Sequence, residues 1–293
     1  MPDRLLTVSA TIAGASVAAA VTTDLVTEVQ RRHDLSPTAT AAAGRLVTGA
    51  VLLGANLGEN ERISLQISGD GPIGSLVADA WLRDASTIGA RGYARNGRVE
   101  LPVNARGKFD VAGALGNGAL QVTRSYEVGQ PYAGVVPLHT GEIAEDIAAY
   151  LAKSEQIPSV VALGVLADPR GVVAAGGIVA KMLPGASEAD VAALERRANA
   201  LPAITALITE RPDPAYLLQR LLGSEVPDTA AAMDVSFTCS CTKQKVETVL
   251  RALGKRELER LSRERDQTEA TCEFCRRTYA FTSGELRAMA ETL

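Results

Sequence analysis

Phe237-Thr238-Cys239-Ser240-Cys241 is followed, after thirty residues, by Cys272-Glu273-Phe274-Cys275. These four cysteines are all that 293 residues contain, so every sulfur belongs to one of two close pairs. A C-x-C and a C-x-x-C, each supplying two thiolates, match one tetrahedral all-sulfur zinc site. Scattered core cysteines would not leave the remaining sequence empty of sulfur ligands. A purely structural zinc site and a reactive one use the same four donors, and spacing leaves both open.

Charge favours a metal here. Zinc with four thiolates is formally dianionic, and cations follow both pairs: Lys243 and Lys245 after the first, Arg276 and Arg277 after the second. Such neighbours stabilise the cluster and favour thiolate once metal leaves. A thioredoxin-like reading of Cys272–Cys275 requires a following helix in a βαβ setting. The alternation through Tyr279 and Phe281 predicts a short strand instead, which leaves thiol oxidoreductase a minor alternative.

Composition narrows the classes further. A net charge of −4 argues against a general nucleic-acid binder, and 4% aromatics leave few stacking platforms for single strands. Residues 5–21 lean apolar, as a signal peptide would, but Asp3 offsets Arg4 and Ser9, Thr11, Gly14 and Ser16 dilute the run. No apolar run reaches the length of a membrane span. A cytoplasmic protein is expected, where such thiols are kept reduced.

Along the chain, extended segments over 5–8 and 12–21 precede a helix capped by Thr23-Asp24 and carrying Leu25, Val26 and Val29. Ser36-Pro37 starts a second helix that ends near Gly54 or Gly58. Ile63, Leu65 and Ile67 alternate with polar residues, a half-buried strand closed by Gly69-Asp-Gly-Pro72. Strands follow over 76–81, 89–94 and 120–123, with a hairpin signal at Asn96-Gly97. Ile143, Ile147, Tyr150 and Leu151 share one helical face. Residues 160–166 and 172–179 read as two buried strands. After Met182-Leu-Pro184-Gly185, Ser187 and Asp190 open a helix, and Pro202, Pro212 and Pro214 break the chain beyond it into short helical pieces. The division predicted is an α+β core domain over 1–180, a helical linker over 181–232 and a small zinc-binding domain over 233–293. No P-loop, dinucleotide fingerprint, H-E-x-x-H or G-x-S-x-G is present, and His33 and His139 read as surface or turn residues. No enzyme activity is expected.

The sequence resembles the heat shock protein 33 family, the redox-regulated 33 kDa chaperonins. The resemblance rests on the C-x-C, x30, C-x-x-C pattern, Gly69-Asp-Gly-Pro72, Leu115-Gly-Asn-Gly118, Tyr132-Ala-Gly-Val-Val136, Ser154-Glu-Gln-Ile-Pro158, Ala174-Ala-Gly-Gly177 and Met182-Leu-Pro184. It departs at Thr242-Lys-Gln-Lys245, where the family often has Ser-Arg-Glu-Arg; both cations persist and an acid is lost. The resemblance implies an ATP-independent holdase for unfolded or misfolded client proteins. It would be silent when reduced with one zinc on Cys239, Cys241, Cys272 and Cys275, and active after oxidation and zinc loss. The implied disulfides are Cys239–Cys241 and Cys272–Cys275, and the family is often a homodimer when active. The alternatives are a zinc-ribbon binding module and a thiol oxidoreductase.

The C-terminal segment is small and heavily charged. Its expected apolar set is Val246, Val249, Leu250, Leu253, Leu258, Leu261, Phe274, Tyr279 and Phe281. A core of this size yields about 3–5 kcal/mol, and structural zinc supplies about 10–16 kcal/mol in small domains. Metal is therefore expected to decide whether this segment folds.

Overall fold

The computed structural model describes residues 2–10, 14–104, 107–168, 170–223 and 231–293, the side chains of Ser9 and Ala10 excepted. It is mixed α+β and divides into two compact units, Met1–Thr238 and Cys239–Leu293. Among the described residues, no helix is long and apolar enough to cross a membrane.

The first unit opens with β1 (Arg4–Ala10), β2 (Ala15–Val21), α1 (Thr23–His33) and α2 (Pro37–Leu53). It continues through β3 (Arg62–Gly69), β4 (Ser75–Asp84), β5 (Thr87–Ala94), α3 (Val111–Leu115), β6 (Gly118–Ser125), β7 (Tyr132–Pro137) and α4 (Ala144–Lys153). It closes with β8 (Ser159–Asp168), β9 (Gly171–Met182), α5 (Glu188–Asn199), α6 (Ile204–Glu210), α7 (Pro214–Leu222) and β10 (Ala231–Phe237). Its strands form a single sheet in the order β7-β6-β3-β4-β5-β10-β1-β2-β9-β8. Every neighbouring pair is antiparallel except β5 and β10.

Sequence pattern reports which faces are covered. In β3, Ile63, Leu65 and Ile67 are fully buried and the residues between them are not, the period of a strand with one buried face. β2 has no such alternation because both faces are packed. Ala18 and Ala20 join the core built around α1, α2 and α4, whereas Val17, Ala19 and Val21 join a second core with Leu194, Leu207 and Leu218 of α5–α7. The sheet at β2 and β9 is thus the middle of three layers. α2 is buried from Thr38 to Leu53, which suits its small and apolar residues. Ser36 caps it, accepting from the Ala39 amide at 3.3 Å, and Gly54 ends it.

Several expectations change. The cap of α1 is not supplied by Thr23 or Asp24: the Leu25 amide donates to Asp3 Oδ2 at 2.6 Å, a carboxylate from the segment entering β1. Asn96-Gly97 joins no hairpin. The Gly97 carbonyl accepts from the Ser36 amide at 2.9 Å, which fixes the start of α2 instead. The compact division falls at Thr238/Cys239, later than the expected 232/233, because β10 is hydrogen-bonded on both edges within the sheet. Residues 181–232, expected as a linker, supply α5–α7 to the second core. Residues 224–230 and Pro169, in the expected turn between β8 and β9, lie outside the described residues.

The second unit comprises α8 (Lys243–Arg251), α9 (Lys255–Glu264), β11 (Gln267–Thr271), β12 (Thr278–Thr282) and α10 (Ser283–Glu291). Leu250, Leu258, Phe281, Leu286, Met289 and Ala290 make its buried core, so α10 contributes half of it. Val249 and Leu253, expected inside, are 67% and 52% exposed.

Candidate metal centre

Two short turns present the sulfurs. Cys239 and Cys241 lie just before α8, whose cap Thr242 accepts from the Lys245 amide at 3.2 Å. Cys272 and Cys275 lie in the loop of the β11–β12 hairpin, beyond its last pair, Thr271 with Thr278. That loop is closed by hydrogen bonds from the Cys272 amide to the Arg277 carbonyl and from the Arg276 amide to the Cys272 carbonyl, both 2.9 Å. The tight turn puts Arg276 at φ 59°, a left-handed conformation unusual for a residue with a Cβ.

The four Sγ atoms all lie within 4.8 Å of one another. Cys239 and Cys272 are 3.8 Å apart, and Cys241 and Cys275 are 3.2 Å apart. A tetrahedron with metal–sulfur bonds of about 2.3 Å has edges of about 3.8 Å. The donor set and spacing therefore fit a tetrahedral metal ion, and the four cysteines can hold one. Both of these separations cross between the two turns, and the disulfides implied by the resemblance lie within them. Both kinds of pair fall inside the same cluster.

The environment favours an ion over bare thiolates. Burial pushes the Cys275 thiol up to about 12, and the Arg277 amide opposes the shift, while the other three sulfurs add to it. A divalent cation would relieve both burdens at once. Of the four cations expected to serve the cluster, only Arg277 is tied to it electrostatically. Tyr279 first, then Cys241 and Cys275, hold its guanidinium above its ordinary value. Lys243 instead pairs with Glu285 at 2.6 Å and lies over the Phe281 ring. That lysine, ahead of the Thr282 amide, pulls the Glu285 carboxyl down to about 2. Arg276 reaches Glu273 at 3.5 Å, and Lys245 is exposed. Sequence reading missed Tyr279 as a sulfur neighbour: its hydroxyl lies 3.2 Å from Cys241 Sγ and 3.1 Å from the Cys241 carbonyl oxygen. The available signal was its position in the strand leaving the second pair. Neither histidine joins the cluster; His33 stacks on Tyr93 and the His139 amide donates to Asp146.

The model of the Hsp33 protein family matches residues 3–282. A 33 kDa chaperonin of Ruminiclostridium cellulolyticum is 39% identical over 287 residues, covering 98% of this chain and 97% of that protein. A 33 kDa chaperonin of Bacillus subtilis is 38% identical over 275 residues, with 93% of each covered. The crystal structure of the 33 kDa chaperonin (heat shock protein 33 homolog) from Thermotoga maritima superposes with a TM-score of 0.90 at 35% identity, covering 100% of this chain and 99% of that one.

Proposed function

We propose, from the premise that this chain belongs to the Hsp33 protein family, that it is a redox-regulated, ATP-independent holdase of the cytoplasm. Its clients would be unfolded or misfolded proteins. The observation that carries this reading is the convergence of the four sulfurs within 4.8 Å from two separate turns. Zinc, when bound, cross-links the two turns and keeps the sulfurs as thiolates.

Oxidation removes those donors. A thiolate attacks one oxygen of hydrogen peroxide, forming a sulfenic acid and releasing the other oxygen as water. The neighbouring thiol then displaces the sulfenic oxygen as a second water and closes the disulfide. Each disulfide thus consumes one peroxide, which takes two electrons from the pair of sulfurs, and Cys239–Cys241 with Cys272–Cys275 consume two peroxides. Bonds closing loops this short constrain the unfolded chain little, so they do not replace the link across thirty residues. The core of residues 239–293 then stands alone and melts. Apolar surface becomes available to clients.

Peroxide treatment tests this with three parallel readouts: zinc release to a chromogenic chelator, disulfide mapping, and suppression of client aggregation. The three are expected to rise together. Metal retained while client holding appears would defeat the proposal, as would an oxidised, zinc-free protein that holds clients with residues 239–293 still protected from exchange. A zinc-ribbon module would keep its metal, and a thiol oxidoreductase would turn over disulfide substrates.

A further inference from the structure

Arg45 is the only charged residue of α2 and is 8% exposed. A guanidinium carries five N–H donors. Here Nη1 donates to Glu142 Oε2 at 2.7 Å, Nε is enclosed without a partner, and no other acceptor is found for the group among the described residues. A buried donor left unmatched is costly, so a positively charged fork held this way needs a reason.

The group lines a cavity of about 330 Å³ at the free edge of β8, within the size range of small-molecule sites. One wall is Leu163 and Val165 of β8, another is Phe109, and a third is Ile204 at the start of α6. α6 crosses β8 at Gly164 so closely that a Cβ there would meet Thr205 Cγ2 at 2.9 Å. Lys108, exposed, stands at the rim. Glu142 neutralises one cation, so the cavity keeps a positive balance against a largely apolar wall.

We infer that this cavity binds a small amphiphilic carboxylate, its head on Arg45 and Lys108 and its unbranched tail along Leu163, Val165 and Ile204. The guanidinium fork matches a carboxylate with two parallel donors, and the tail replaces water on apolar side chains. Because Ile204 and Thr205 form one wall, an occupied cavity also holds α6 against β8. Nothing in this inference rests on the redox reading, and it applies to the reduced chain without clients.

Decanoate is the probe, with decanol as tail without charge and acetate as charge without tail. Titration by calorimetry and by amide chemical shifts is expected to show saturable decanoate binding, with shifts centred on 163–166 and 203–205. Decanol and acetate should each bind at least about tenfold more weakly. Arg45→Met keeps the side-chain length and leaves Glu142 able to resolvate, so the unit should fold. It is expected to weaken decanoate about tenfold while leaving decanol unchanged. Lys108→Glu, at an exposed position, should weaken decanoate about threefold and cannot be blamed on misfolding. Decanoate should also slow amide exchange over residues 204–210. Equal binding of decanoate and decanol, shifts centred elsewhere, or no saturation by about 10 mM would overturn the inference.

Discussion

The hydroxyl of Tyr279 lies 3.2 Å from the sulfur of Cys241, near enough to donate to it when that sulfur is a thiolate. Such a bond orients the ligand and lowers its charge density, which protects it from oxidant. Tyr279→Phe is expected to lower zinc affinity about tenfold, the scale of lost outer hydrogen bonds at metal sites. Peroxide should also release zinc faster. Competition with a calibrated chelator measures the first effect and stopped-flow zinc release the second. Unchanged affinity and rate would mean that the hydroxyl serves the Cys241 carbonyl alone.

Asp3 gives the first unit a pH dependence. Burial, outweighing the amides of Leu25, Asp24 and Thr23, raises its carboxyl from 3.8 to about 7. The folded state therefore holds a proton that the unfolded chain has released. Stability from this group is complete below about pH 4 and is lost as pH rises to about 7, at a cost of no more than about 4 kcal/mol. Asp3→Asn should be more stable than the parent at pH 8 by about 1–3 kcal/mol, the gap closing towards pH 4. Denaturant melts of both proteins across that range check it; a gap independent of pH would reject the assignment.

Cys272→Ser removes one of four donors. Zinc content should fall, and amide exchange over residues 239–293 should approach that of an unfolded chain. The first unit should keep its protection, since its two cores contain no residue of the second. Equal loosening of both units would show that they fold as one.

Arg276→Gly isolates the strain in the second turn. A left-handed φ costs a residue with a Cβ roughly 1–2 kcal/mol, and glycine gives back about 0.5–1 kcal/mol in chain entropy. The exposed pair with Glu273 at 3.5 Å contributes little. A net gain of about 0.5 kcal/mol is expected in zinc-loaded stability. A loss above about 1 kcal/mol would give Arg276 a role in charge that its geometry does not show.

Local signals were readable and remote ones were not. The cysteine spacing named the cluster, Ser36-Pro37 and Gly54 bounded α2, and the alternation through Ile67 marked β3. In β10 the alternation of Met233, Val235 and Phe237 with polar residues was a local signal that went unread, but its place in the sheet is set by pairing with β1 and β5, far away in sequence. The Asp3 cap of α1 failed for the same reason. In the second unit, Val249 shares α8 with Leu250 and Leu253 lies two residues beyond its end, yet both face solvent, and the missing core came from Leu286 and Met289 of α10. Apolar content there was legible, but the choice of inward face depended on where α10 packs.

The central position of β10 bears on how the chain is made. β5 ends at Ala94, but its neighbour on that side is not complete until Phe237. At elongation rates of about 5–20 residues per second, the interval is on the order of ten seconds or more. Throughout it, β5 and β1 present open edges to the crowded space near the ribosome, the kind of edge that recruits stray strands. A nascent chain of this family therefore passes through a phase in which it needs the protection it would later give. The first sulfur of the four-cysteine cluster, Cys239, emerges only two residues after that gap can close.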